Sequence, residues 1–330
     1  MASPRRAVLT VLDPTSLVGR ELLEHLAGCA PALRRSFFHT GSSDEHLIAE
    51  VAGEASLVAP LGDLGELEGS RVVVATRQPP VPVTARLLDW LRANPAVTLV
   101  DLTDGGLAPD ESIVVFDAPP PPEARWVRLL DPSLVGAAFF LRAVAPLGPE
   151  ELHATTIRPA SAYGEGGVEE LAGQGVARLS GRQPSRPAVL PSVLAFDLAP
   201  TRDSSRTDLE QQLAGAFPGV AVRLRPLEAG VFYGHLATVG VRLREVPHPD
   251  RVRALLREDA VLRLARRNEA PRPSEAVGSL QVACSDVTVE PPWVFATLIA
   301  DGLRLASVRL AADLLLAIVG REAAEVAPLH

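Results

Sequence analysis

Lysine is absent: every one of the 32 basic residues among 330 is arginine. That excludes imine chemistry on a lysine amine, a phosphate-loop lysine and a lysine general base. Cysteine is scarce, with only Cys29 and Cys284. Two thiols exclude a disulfide scaffold or a cysteine zinc site and point to a reducing compartment, the cytoplasm. The seven histidines form no ligand-spaced pair, so no metal is expected; His248 reads as a turn residue and His330 is terminal. No charge-free run approaches the roughly 18 residues of a membrane span. The start, MASPRRAVLTVLD, has too short an apolar run for a secretory leader and no cleavage motif. No G-x-S-x-G elbow occurs.

What is present is an ordinary globular composition, 47% apolar and 22% charged with net charge −8, long enough for two modest domains. The negative charge disfavours nucleic acid as a partner. One arginine-rich stretch, RVRALLREDAVLRLARR from Arg251 to Arg267, has apolar residues at helical spacing and reads as a helix with a solvated face.

Periodicity predicts an α/β chain. AVLTVL (Ala7 to Leu12) is strand-like. Val18, Leu22 and Leu26 form one face of a helix over Thr15 to Ala27, capped by Thr15 or Ser16. Strands follow at Arg71–Ala75, Val97–Asp101, Ser112–Phe116 and Trp126–Leu130, with a helix over Val83–Ala93. This alternation implies a parallel, Rossmann-type sheet with helices on both faces. Beyond it lie a strand at His153–Ile157, a helix over Val168–Leu179 and a surface loop from Gly181 to Pro191. Strands are expected at Val220–Leu224, Val231–Leu243 and between Gly278 and Leu298, suiting a second, α+β domain. A helix over Gly302–Ile318 closes the chain.

Candidate chemistry is thin. The junction RLLDPSLVGAAFFLRA (Arg128 to Ala143) runs from strand to Asp131-Pro132-Ser133 turn to helix, where an open α/β sheet gathers reactive groups, yet the helix mouth holds Leu134. The turn after the first strand, DPTSLVG, keeps only Gly19. That glycine serves either phosphate approach or, more simply, close helix–strand packing. Cys29 and Cys284 read as small core residues. His235, in VFYGHLATV, is either a satisfied strand histidine or an active group.

These pieces in this order resemble aspartate-semialdehyde dehydrogenase along nearly the whole chain. The matching segments are VGRELLEHL (Val18 to Leu26), VDLTD (Val100 to Asp104), the turn at Asp131, SAYGEGGVEEL (Ser161 to Leu171), VFYGH (Val231 to His235) and ADGLRLASVRLAADLLL (Ala300 to Leu316). The resemblance implies a Rossmann-type nucleotide-binding domain over 1–133 and 302–330, and a central dimerisation domain over 134–301. It also implies reductive dephosphorylation of aspartyl phosphate through a cysteine thioester, with a reduced nicotinamide cofactor and a proton-moving histidine.

Laid on this sequence, the family's roles mostly fail. Leu134 stands where the nucleophilic cysteine is expected, Arg158 at the glutamine, Glu228 at the substrate-binding arginine and Leu107 at the phosphate-binding arginine. Only His235 survives. On the cofactor side, Asp13 and Ser16 replace the first two glycines and Gly302 replaces an asparagine. The remnants of that site are Thr15, Ser16, Val18 and Gly19. If the Asp13 carboxylate faced a pyrophosphate at about 4 Å, the repulsion would be of order 4 kcal/mol. It could instead cap the turn and face solvent.

The chain thus looks most like the Usg-type, catalytically degenerate paralogues of the dehydrogenase. The expectation is a dimeric protein with a binding or assembly role, no expected cofactor, and NADP or NAD the dinucleotide if one binds. The alternative is an NAD(P)-dependent oxidoreductase with an altered mechanism recruiting Cys284 or His235. A third reading is an interaction module that pairs with an active paralogue.

Overall fold

The computed structural model describes residues 8–43, 45–51, 53–103, 106–109, 111–245, 248–266 and 269–325. The amino-terminal segment tested for a leader, Asp104, Arg267 and His330 lie outside the described residues. The chain divides into two compact units, 1–129 with 307–330, and 130–306.

In the first unit the strands are β1 (Val8–Leu12), β2 (Arg34–His39), β3 (Leu47–Val51), β4 (Glu54–Pro60), β5 (Val72–Ala75), β6 (Thr98–Asp101), β7 (Ile113–Val115) and β8 (Trp126–Leu129). They form one sheet in the order β3-β4-β2-β1-β5-β6-β8-β7. Every pairing is parallel except β3 with β4. The run VVVA of β5 is wholly buried, as a parallel strand covered on both faces must be. On one face Leu9, Val11, Val72 and Val74 pack against Leu22, Leu23 and Leu26 of helix α1 (Leu17–Cys29). Leu314, Leu315 and Ile318 of the C-terminal helix join the same cluster. On the other face Leu12, Val73 and Ala75 meet Leu87 and Leu91 of α2 (Val81–Ala93).

The second unit holds α3 (Val135–Val144), β9 (Pro149–Arg158), α4 (Gly164–Leu179), β10 (Leu198–Pro200), α5 (Asp203–Ala216), β11 (Ala221–Ala229), β12 (His235–Leu243), α6 (Pro249–Glu258), β13 (Leu262–Leu264), α7 (Pro273–Ala276), β14 (Val282–Glu290) and β15 (Trp293–Ala300). Its mixed sheet runs β10-β11-β9-β12-β15-β14-β13. Alternation gives it an inner face of Leu152, Ala154, Ala237, Val239, Val241, Val294, Ala296 and Leu298, all buried. Helix α3 lies on that face so closely that a Cβ at Gly136 would come 3.3 Å from Leu298 Cβ. The outer face carries exposed His153, Thr238 and Phe295. There Trp293 and Phe295 stack at 6.1 Å, and His153 meets Trp293 edge-on at 5.6 Å.

Several expectations change. The segment Arg251–Arg267 is not one helix: α6 stops at Glu258 and β13 follows. Asp259 turns the chain, its Oδ1 accepting from the Val261 and Leu262 amides at 2.8 and 3.1 Å while Oδ2 holds Arg142 at 2.6 Å. That frees Val261 and Leu262 to enter the core. The strand placed at Val231–Leu243 begins only at His235, because Gly234 adopts a left-handed φ of 85°. The closing helix is π-helical over Gly302–Leu310 and becomes α-helical as α8 (Ala311–Glu325).

Candidate functional site

In the first unit, the turn after β1 gathers the residues considered for a dinucleotide. Asp13 keeps a left-handed φ of 56°, the conformation that favours glycine, without being one. Its carboxylate neither faces solvent nor caps α1. It is buried, accepting from the Thr40 amide at 3.0 Å and the Thr40 hydroxyl at 2.6 Å. Ser16 caps α1 by accepting from the Gly19 amide at 3.0 Å, and its own hydroxyl donates to Thr76 at 2.8 Å. Thr15 and Val18 are half-buried, and the Thr15 carbonyl accepts from Arg20 at 2.7 Å. Gly19 is forced by packing, since a Cβ there would lie 2.7 Å from the Pro14 carbonyl oxygen. Leu107, at the phosphate-arginine position, is buried in the α2-side core.

A pyrophosphate fits this turn poorly. Pro14 has no amide hydrogen, the Ser16 amide already serves the Asp13 carbonyl, and the Gly19 amide serves Ser16. A buried carboxylate stands beside them.

In the second unit the strand-to-helix junction is closed. Asp131 opens a short 3-10 turn, Pro132–Leu134, by accepting from the Ser133 amide at 2.8 Å and the Ser133 hydroxyl at 2.5 Å. Its own amide donates to Gln212 Oε1 at 3.0 Å. Leu134 is fully buried, and Ser133 is buried with its hydroxyl committed to Asp131. The helix mouth presents an alkyl group to the core.

Beside it lies a charge cluster that substitutes for the expected substrate clamp. Arg158 ends β9 and Glu228 ends β11, and these parallel strands place the two residues directly opposite each other. Arg158 Nη1 donates to Glu228 Oε1 at 3.5 Å, and Nη2 sits 3.9 Å from Asp131. Thr201 Oγ1 donates to the same Glu228 oxygen at 2.7 Å. The Arg158 guanidinium lies 5.3 Å over the Tyr163 ring, and the Tyr163 hydroxyl is hydrogen-bonded to Glu228. Glu228 is 1% exposed. Burial pushes the Asp131 carboxyl up, but Arg158 and the Ser133 bonds overcome it and hold it below the ordinary range. Burial first, and then Glu228, push the Tyr163 phenol well above its usual value. The two family positions have exchanged charge character. What would be a glutamine and an arginine facing a substrate is an arginine and a glutamate facing each other.

His235 starts β12, packed in the same region. It is 6% exposed, and neither ring nitrogen has a hydrogen-bond partner among the described residues. Burial brings its pKa down to about 4, against Asp131 raising it, with Arg158 lowering it further. The imidazole is neutral at pH 7. Its ring fills the space over Gly302: a Cβ there would meet His235 Cε1 at 2.3 Å and Pro132 Cβ at 2.9 Å. The asparagine expected at that position has no room.

Cys284 is fully buried on β14, paired with Leu298, which pairs in turn with Ala237. It is two strands and two residues from His235, on the order of 12 Å. Burial, with Asp286 assisting, pushes its thiol up to about 12. It is a protonated core residue, out of reach of the imidazole. Cys29 is exposed at the end of α1. Sequence reasoning found His235, Leu134, Arg158 and Glu228 but not that they adjoin one another. It missed Asp131 as an ion-pair member, and Thr201, Tyr163 and Gln212 altogether, because polar residues scattered over some 80 positions carry no spacing signal. Among the described residues no group of three or more His, Cys, Asp or Glu could hold a metal, and no helix is long and apolar enough to cross a membrane.

Comparison with known proteins gives concordant results. Residues 141–294 match the family described as semialdehyde dehydrogenase, dimerisation domain. Aspartate semialdehyde dehydrogenase II from Vibrio cholerae, solved with ASA, superposes with a TM-score of 0.82 at 19% identity, covering 96% of this chain and 99% of that one. A probable aspartate-semialdehyde dehydrogenase from Pseudomonas aeruginosa gives 0.77 at 18%, covering 97% and 99%. The fold is therefore that of a semialdehyde dehydrogenase, a Rossmann-type unit with a dimerisation domain. Within that class the chain is aspartate-semialdehyde-dehydrogenase-like. A USG-1 protein homolog of Azotobacter vinelandii is among its relatives, 27% identical over 191 residues, spanning 51% of this chain and 56% of that protein.

Proposed function

We propose that this chain is a catalytically silent, dimeric relative of aspartate-semialdehyde dehydrogenase, cytoplasmic, whose role is binding or assembly rather than thioester chemistry. The observation that carries the reading is the Arg158–Glu228 pair beside Leu134. Covalent acyl transfer needs an ionisable nucleophile, and none stands at the helix mouth. A substrate carboxylate needs an unpaired guanidinium, and the only one in the cluster faces Glu228 and Asp131. The second unit would pair through the outer face of its sheet, where Trp293 and Phe295 are stacked. The domain map follows the same reading: 1–133 with 302–330 nucleotide-binding in type, and 134–301 for dimerisation.

An enzyme of related fold from Candida albicans was solved with NADP. The Asp13 turn argues against the same ligand here, and no step is routed through it. Titration with NADPH and NADH, followed by thermal unfolding, tests this directly. A ligand at 100 times its Kd adds about 2.7 kcal/mol to the native state, so no shift at millimolar cofactor supports the proposal. The second reading, an oxidoreductase of altered mechanism, draws on the neutral, unbonded imidazole of His235, which is in the form a proton acceptor needs. A robust cofactor-induced shift together with His235-dependent turnover would favour it.

A further inference from the structure

The arginine-rich stretch has no part in the closed cluster, and it lies at the last strand of the second unit's sheet. Strand β13 pairs only with β14, in parallel: the Val282 amide donates to the Val261 carbonyl at 2.9 Å and the Ala265 amide to the Cys284 carbonyl at 2.8 Å. In a parallel ladder alternate residues bond to one side, so Arg263 serves β14 while Leu262 and Leu264 turn their backbone groups to the free edge. Asp259 takes the Leu262 amide at 3.1 Å. The Leu262 carbonyl and both backbone groups of Leu264 are left for a strand outside. Beside that edge is an open groove of ≈ 490 Å³ lined by Leu264, Ala265 and Gln281, with Arg257, Arg263 and Arg266 around it. Arg263 is bridged to Glu269 at 2.7 Å. Exposed Arg257 and Arg266 hold no carboxylate among the described residues. Every feature expected to protect an edge strand from pairing is weak here except charge, and that charge is of one sign.

We propose that the β13 edge is a docking site for an extended acidic peptide segment, which adds as a further strand. It would lay alternate side chains over Leu264 and Ala265 and set carboxylates against Arg257 and Arg266. Backbone bonds would give affinity and the two guanidiniums the choice of an acidic sequence. A second copy of this net-negative chain could supply such a segment, but the groove selects by charge and extended backbone, not by the identity of the owner.

The test uses the full-length protein and a fluorescently labelled ten-residue peptide alternating Glu with Val, read by anisotropy. Three competitors accompany it: the same peptide N-methylated at alternate residues, its Lys–Val counterpart, and a single-stranded oligonucleotide of equal charge. Saturable binding of the Glu–Val peptide is expected, with at least a tenfold loss on N-methylation and no binding of the Lys–Val peptide. Arg257→Glu and Arg266→Glu, both at exposed sites, should each weaken binding at least tenfold without moving the thermal midpoint. The proposal fails if no peptide binds, if the oligonucleotide binds as well as the peptide, if N-methylation has no effect, or if both charge reversals bind normally.

Discussion

The residue that best states the condition of this site is His235. Its folded pKa of about 4 lies below the unfolded value of 6.5, so the unfolded chain takes up its proton first. The neutral imidazole therefore stabilises nothing extra above pH 6.5; as pH falls from 6.5 toward 4, stability is lost, by roughly 3 kcal/mol at most. Asp131, depressed as well, adds a further loss at still lower pH. The urea midpoint should drop across that window, and His235→Gln should flatten the drop. A midpoint independent of pH between 4 and 6.5 would show the ring to be exposed. The neighbouring ion pair gives a second expectation. Removing one partner strands the other: Arg158→Ala or Glu228→Ala should cost roughly 3–5 kcal/mol in urea unfolding, and the double variant much less than the sum. Equal, additive losses would mean that the two side chains do not interact. These neighbours were legible as residue types. Their opposition was not, because it arises from the register of two strands seventy positions apart.

At the scale of elements, most of the parallel sheet could be read from apolar runs such as VVVA and from the spacing of Val18, Leu22 and Leu26. Strands β2 to β4 could not. RRSFFH opens with two arginines, and the hairpin of β3 with β4 turns through Gly53, at a φ of 79°, with little apolar alternation around it. The arginine stretch misled in the opposite direction. Its helical spacing continues past Glu258, but the Asp259 carboxylate takes two amides that a longer helix would have used. Asp259→Ala should therefore destabilise by about 1–3 kcal/mol, through loss of those bonds and of Arg142's partner. A silent substitution would show that Leu262 and its neighbours hold the turn unaided. Restoring the family residue at Gly302 is the complementary case. Gly302→Asn should lower stability by roughly 1–3 kcal/mol through overpacking against His235, and His235→Ala should relieve it.

For the whole molecule, the account treats the scaffold as kept and the chemistry as gone. The seven-stranded sheet, its α3 cover and its aromatic outer face remain those of a dimerisation domain, whereas the junction they would frame is filled by leucine and a neutralised arginine. If the outer face is the contact between subunits, Phe295→Asp should convert a dimer to monomer in light scattering. A dimer that persists would locate the contact elsewhere. Restoring one atom is not enough on this view. Leu134→Cys alone should stay inactive, since Glu228 still occupies the substrate clamp. The most direct measurement is phosphate-dependent oxidation of aspartate semialdehyde by the purified protein with NADP, followed as NADPH absorbance. No rate above the enzyme-free control is expected. Turnover on the order of 1–10³ s⁻¹ would contradict the account.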